Sequence, residues 1–457
     1  MNRRDFLGGL SAAALGGRAV FGTPQSHGSR PDQPETPEEK ADFTVRIGRV
    51  DVELAPKKVI RTTGYNGTAP GPILRMREGR HVSIDVYNET DIPELVHWHG
   101  LNTSPEDDGS MEEGTPMVAP RSRRRYFFKA APSGTRWYHT HTTAKRNLNR
   151  ALYTGQFGFL YIEPASEPGD YDQEIFLAFK EWDAYFSTMG GDDSAEVAYK
   201  AFSVNGHSLG HGEPIRVKQG QRLLLHVLNA SATLVRRIGF SGHSFEVRAL
   251  DGNPVPRRAK VQALELGPAE RVDAIVEMNR PGVWILGATR DGARAKGMGV
   301  VVEYAGRSGP PQWIAPPEQP WDYTAFGSAP NRPEPEERRV LVFEKKFAGR
   351  NWVDNWTVNG KSFPKTDAVR VQSGRRYRLV FDNRSDEAHP VHLHRHSFEL
   401  AKVGAAATGG VVKDVVMLPP MAQVEADLLA DNPGPTLFHC HNQTHMDYGF
   451  MAMFEYV

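Results

Sequence analysis

Three stretches of this chain repeat one frame, and that repeat limits the fold more than any other feature of the sequence. The frame opens on an Asn-Gly pair, passes a second Gly and closes on an Asn. It reads Asn66-Gly67, Gly79, Asn88, then Asn205-Gly206, Gly220, Asn229, then Asn359-Gly360, Gly374, Asn383. The second Gly and the closing Asn stand nine residues apart in every copy. Between them apolar residues alternate, as in Leu223, Leu225, Val227 or Tyr377, Leu379, Phe381, which is the period of a strand following a turn. A second frame comes later in each copy. Pro120 to Gly134, Pro268 to Gly282 and Pro420 to Gly434 are each fourteen residues apart, and each Gly leads a short apolar strand. Two frames in three copies predict three related β domains.

The limits of the three units are 42–165, 170–305 and 335–457, with a Pro-rich connector over 306–334. Units of this size built from short strands fit β-sandwiches, and the 457-residue length suits several domains rather than one. Lys+Arg and Asp+Glu both number 55, so the charge balance gives no reason to expect nucleic acid or an anionic membrane as a partner. Arg3-Arg4 stands ahead of a short Gly- and Ala-rich run, like a twin-arginine export signal, and a polar tether follows. The run is too short to span a bilayer, so no membrane insertion is expected. Residues 1–41 are therefore read as signal and tether, and export to the periplasm or the exterior is expected.

Ten of the 17 histidines fall in four clusters, and eight of them follow the repeat. His97 and His392 each stand nine residues after the frame Asn, and His99 and His394 eleven after it. His139 and His439 stand five after the frame Gly, and His141 and His441 seven after it. The middle unit has Gly287-Ala288-Thr289 at the latter positions, so the ligand pattern belongs to units one and three. Residues i and i+2 of a strand share a face, so each His-x-His presents two imidazoles side by side. Eight imidazoles converging between two units suit a cluster of two or three ions that favour neutral imidazole, such as Zn, Cu, Fe or Ni. Three groups are left outside this symmetry: His389, His445 and Cys440, the only cysteine. On a strand Cys440 points away from His439 and His441. Two histidines and a thiolate are the ligand set of a blue-copper electron-transfer site.

Those four motifs on a threefold β repeat resemble the multicopper oxidases, laccases among them, over nearly all of the chain past residue 42. The resemblance implies an all-β fold of three cupredoxin-like Greek-key β-sandwich domains and four copper ions per chain. It implies type 1 copper on His389, Cys440 and His445, type 2 copper on His97 and His392, and a type 3 pair on His99, His139, His141, His394, His439 and His441. It further implies electron transfer through Cys440, from a small reducing substrate to dioxygen, which is reduced to water. The axial type 1 position falls at Phe450, which cannot ligate. Met451 is one out of register. Asp108 falls where related enzymes place an acid that helps deliver protons, whereas the second acid that some of them carry just past the last type 1 histidine is absent, since Met446 stands there.

The donor is less constrained than the metals. A phenol or aromatic amine is the leading expectation. A cuprous-ion oxidase acting in copper tolerance is the alternative, though the twelve methionines form no rich stretch. A copper-free exported structural or cell-division protein of the same fold is disfavoured by retention of all eleven ligand positions.

Overall fold

A computed structural model describes residues 40–166, 169–187, 196–329, 333–347 and 353–457. The predicted signal lies outside these residues. The described fold is built from strands, with two helices of five residues each, Asp291–Ala295 and Gln443–Asp447. No described helix is long and apolar enough to cross a membrane.

Six sheets pair into three successive sandwiches. Between residues 43 and 163 two four-stranded sheets face each other; between 173 and 304 they have six and five strands; between 337 and 456 they have seven and five. In each sandwich the first strand runs parallel to the strand that ends on the frame Asn: Phe43–Ala55 beside His81–Asn88, Gln173–Ser187 beside Arg222–Asn229, and Glu337–Lys346 beside Arg376–Asn383. Such pairing requires a crossover to the other sheet, and hence a Greek-key path rather than a simple meander.

The frame residues explain why the turns fall where they do. Asn66, Asn205 and Asn359 have φ of 52°, 50° and 52°, and each is followed by a Gly at 78° to 80°. Two successive positive φ values make a tight turn that Asn-Gly adopts at least cost. The closing asparagines act as staples. Asn88 donates to the carbonyls of Ile92 and Val118, Asn229 to Leu234 and Leu266, and Asn383 to Glu387 and Pro419. Each therefore ties the end of its strand to the segment leading into the next sheet.

Alternation along these strands buries one apolar face per sheet. Trp98, Tyr126, Phe128 and Tyr138 fill the first sandwich with rings 5.4 to 5.9 Å apart. A continuous apolar core runs through the second and third sandwiches and reaches Trp137 and Phe157 of the first. The strands that carry the histidines lie in the sheets where the first and third sandwiches meet.

Candidate metal centre

Strand register sets the first level of the site. Val96–His99 pairs antiparallel with Gly134–Thr140 so that His97 lies opposite His139. His389–Leu393 pairs with Thr436–Cys440 so that His392 lies opposite His439. The two sheets then bring their histidine faces together. His97 stacks on His394 with ring centroids 4.0 Å apart, and His99 stacks on His392 at 3.8 Å. His141 Nε2 comes within 3.5 Å of His439 Nε2. All eight predicted cluster histidines are buried in this one interface. Three of the metal-sized groupings they form are His97–His392–His394, His97–His99–His139 and His141–His394–His439.

Most of these rings hold one nitrogen outward on the protein and turn the other inward. His97 Nδ1 donates to the Asp108 carbonyl (2.8 Å) and His392 Nδ1 to the Asp414 carbonyl (2.7 Å), leaving Nε2 of both without a partner among the described residues. His139 and His439 bond the carbonyls of Thr140 and Cys440 at 2.9 Å through Nδ1. His394 Nδ1 meets Asp108 Oδ2 at 2.8 Å. His99 is reversed: its Nε2 meets Asp414 Oδ1 at 3.0 Å, and Nδ1 faces the cluster. Among the described residues, His441 has no hydrogen-bond partner on either nitrogen.

Burial drives His99, His139, His392, His394, His439 and His441 well below the usual histidine range, and His141 to about 3. The rings are therefore neutral and carry lone pairs. Buried lone-pair nitrogens cost free energy unless a hydrogen-bond donor or a metal ion meets them, and neutral imidazoles fixed by an outer hydrogen bond are the usual ligands of a transition metal. The residues present thus fit copper.

Asp108 is fully buried. Burial works to raise its pKa, but facing His97 and His394 outweighs burial and holds it well below the usual carboxylate range. Gly109 makes this approach possible. Its φ is +91°, and a Cβ there would lie 1.9 Å from the Val96 carbonyl oxygen. Met446, at the position where some related enzymes carry a second acid, packs with Leu437 and Met451. A second carboxyl comes from Glu113, which sequence reasoning did not single out. It accepts from the Leu437 amide at 2.6 Å, and burial, then the charge of Asp108, push its pKa well up.

On the opposite face of the same strand, Cys440 Sγ lies 3.5 Å from His445 Nδ1 and 3.9 Å from His389 Nδ1. The separation expected from strand alternation is present: thiol to one side, His439 and His441 to the other. Asn442 caps the helix Gln443–Asp447, accepting from the amides of Thr444 and His445, and so fixes where His445 enters. The Phe450 ring sits 5.0 Å from that of His389 and 4.6 Å from Phe343, closing the third side with carbon. Ser385 Oγ meets His389 Nε2 at 2.7 Å, a partner the sequence did not reveal.

The first sandwich has the same pocket with its donors exchanged. Glu94 precedes His97 by three residues, as His389 precedes His392. Thr140 stands for Cys440, and Gln156 for Phe450, each pair with the same backbone bond, at 3.1 Å. Glu94 contacts Thr140 and Gln156 at 3.4 Å. An all-oxygen and amide set with one carboxylate has nothing in common with a soft copper site.

His445 reaches an open cavity of about 210 Å³ lined by Val197, Leu234, Asp354, Trp356, Glu387 and Thr444, among others. Glu387 Oε2 meets His445 Nε2 at 3.1 Å, and Lys345 bridges Glu387 (2.9 Å) and Asp354 (3.1 Å). Burial opposes the charge on Glu387, but His445 and Lys345 bring its pKa to about 2, so the cavity wall is anionic.

Comparison with known proteins agrees with this chemistry. Three family models, each described as multicopper oxidase, match residues 46–167, 180–303 and 335–457. The chain belongs to the multicopper oxidase family. It is 29% identical to the multicopper oxidase MmcO of Mycobacterium tuberculosis, an alignment covering 100% of this chain and 97% of that protein. It is 24% identical to the multicopper oxidase mco of Staphylococcus haemolyticus, over 92% of this chain and 91% of the relative. The crystal structure of a multi-copper oxidase from Pseudomonas thermotolerans superposes with a TM-score of 0.73 at 25% identity, covering 92% of this chain and 100% of that one. The protein is a copper-dependent oxidoreductase that uses dioxygen as acceptor and takes electrons from a reducing substrate.

Proposed function

We propose that the chain holds four coppers: one on His389, Cys440 and His445, one on His97 and His392, and a pair on His99, His139, His141, His394, His439 and His441. The observation that carries this is the register of one strand, which sets Cys440 against His389 and His445 while His439 and His441 face the eight-imidazole interface. Bound copper supplies a one-electron acceptor at the first site and a four-electron dioxygen-reducing centre at the cluster. The chain's own residues do the rest. Cys440 gives a covalent path of a few bonds between the two sites. Asp108 holds His97 and His394 and places a carboxylate where protons for dioxygen reduction are needed. The first and third sandwiches exclude water from the cluster by burying it.

The donor we infer is a phenol or aromatic amine. The cavity at His445 admits one ring, offers Val197, Leu234 and Trp356 as apolar contacts, and presents Glu387 and Asp354 to a hydroxyl or amino proton. Those same carboxylates support a second reading, a metal-ion donor such as cuprous ion. Thioethers select cuprous ion, and none lines the cavity among the described residues. Export by the twin-arginine route to the periplasm or exterior remains our reading of Arg3-Arg4 and the run that follows.

Oxygen uptake by the copper-loaded protein, with a methoxyphenol or with cuprous ion as sole donor, separates the readings. The laccase-type reading expects fast uptake with the phenol. Uptake with cuprous ion alone overturns it in favour of metal oxidation.

A further inference from the structure

The middle sandwich carries no cluster histidine, yet it reaches the cluster through one buried arginine. Arg271 spends all five of its N–H donors inside the protein. Nε donates to the Thr135 carbonyl (3.2 Å), Nη1 to the Ala269 carbonyl (3.1 Å) and Asp414 Oδ1 (2.7 Å), and Nη2 to the Asp251 carbonyl (3.0 Å) and Asp414 Oδ2 (2.6 Å). Its own amide donates to Asp251 Oδ1 at 3.0 Å. The guanidinium is therefore fixed in position and in rotation, and grips the Asp414 carboxylate in a two-pronged pair. Arg136 of the first sandwich adds a weaker contact to Asp414 at 3.3 Å.

Asp414 in turn faces the cluster. Its carbonyl accepts from His392, and its Oδ1 lies 3.0 Å from His99 Nε2. A carboxylate gripped by two arginines is an acceptor only, so His99 Nε2 must carry the hydrogen and Nδ1 the lone pair. This explains the reversal of His99. Four rings anchored through Nδ1, those of His97, His139, His392 and His439, find a backbone carbonyl nearby, and His394 Nδ1 meets the Asp108 carboxylate. The one ring anchored through Nε2 needs an acceptor farther out. A carboxylate supplies it, and a buried carboxylate needs a cation. Asp108 and Asp414 are then counterparts: each offers its carbonyl to a histidine of its own sandwich and its carboxylate to one of the other, Asp108 to His394 and Asp414 to His99.

We propose that Arg271 of the middle sandwich is a positioning residue for the dioxygen-reducing centre, clamping Asp414 so that His99 is held with Nε2 outward and Nδ1 turned to the metal. The middle sandwich is then a working part of the centre and not a spacer. This rests on the assignment of His99 to the copper cluster.

The test uses the full chain with Arg271→Lys, titrated with copper, and reads the electron paramagnetic signature and copper affinity of the histidine cluster. The blue absorbance of the Cys440 site serves as an internal control for folding. Lysine keeps the charge but cannot grip both oxygens. The expected result is an intact blue band with cluster affinity reduced 10- to 100-fold and an altered non-blue copper signature. An intact blue band with wild-type cluster affinity and signature overturns the proposal. If Arg271→Lys does not fold, the double variant Arg271→Met/Asp414→Leu removes both buried charges at similar volume. It should fold, show the blue band and lose cluster affinity to the same degree; wild-type affinity there also overturns the proposal. His99→Ala separates this from the parent assignment. Wild-type cluster affinity in His99→Ala overturns the assignment and the proposal together, whereas a defective His99→Ala beside a normal Arg271→Lys overturns the proposal alone.

Discussion

Replacing Asp108 by Asn removes a charge while keeping the shape of the side chain. The carboxylate takes His394 Nδ1 at 2.8 Å and Thr103 Oγ1 at 2.9 Å and lies 3.0 Å from His97 Nδ1. Asn can keep its oxygen on His394 and turn its amide to Thr103, whose hydroxyl rotates to accept. Two charge-assisted bonds become neutral, and the Thr103 bond reverses direction, so the folding cost should be about 2 kcal/mol. The functional cost should be larger. Altering the outer partner of metal-bound histidines, here from a carboxylate to a neutral amide, lowers activity or metal affinity roughly 10- to 100-fold. A carboxylate that also delivers protons would add general-acid loss of about 100-fold or more and change the pH profile of turnover. The assay is steady-state oxygen uptake from pH 4 to 8 with copper content measured on the same samples. A 10- to 100-fold loss with an unchanged profile assigns Asp108 to positioning alone. Turnover within twofold of wild type at every pH refutes both roles.

Three further outcomes follow from the same geometry. Burial raises Glu94 to about 7 from a usual 4.5. A raised carboxyl contributes fully below pH 4.5, and that contribution is lost as pH rises through about 7, so Glu94→Gln should gain up to about 3 kcal/mol at pH 8 and nothing at pH 4. Denaturant unfolding at both pH values checks this, and equal gains at both would contradict it. Phe450→Met places a thioether beside Cys440, which should lower the potential of that copper, by about 59 mV for each tenfold gain in preference for the oxidised ion; redox titration of the blue band reads it, and an unmoved potential sinks the axial argument. Glu387→Gln should raise KM for an aromatic amine about fivefold, roughly the 1 kcal/mol of a partly exposed charge, and leave an anionic phenol unharmed; equal effects on both would remove the cavity's charge from donor selection.

The histidine pattern was legible because register copies spacing. His97 opposite His139 and His392 opposite His439 follow from strand alternation and fixed offsets from the frame residues. Alternation also put Cys440 on the other face. Asp108 stood out by its distance from His97, but Asp414 did not, although it makes the equivalent bonds. It lies 22 residues after His392, where Asp108 lies 11 after His97, because the third sandwich inserts the strands Phe398–Val403 and Val412–Lys413 between them. Glu113 and Arg271 were invisible for a related reason: each meets the site across a domain interface, and no local period marks such a contact. The described residues of the connector over 306–334 do not line the cavity at His445, whereas Val197 of the middle sandwich does; Tyr323 of the connector bonds the buried Glu270 instead.

Copper bound per chain tests the central claim most directly. The loaded wild-type protein should hold four, and Cys440→Ser should hold three with the blue band gone. Two or fewer coppers in the wild type, or four in the variant with its blue band intact, would contradict the account.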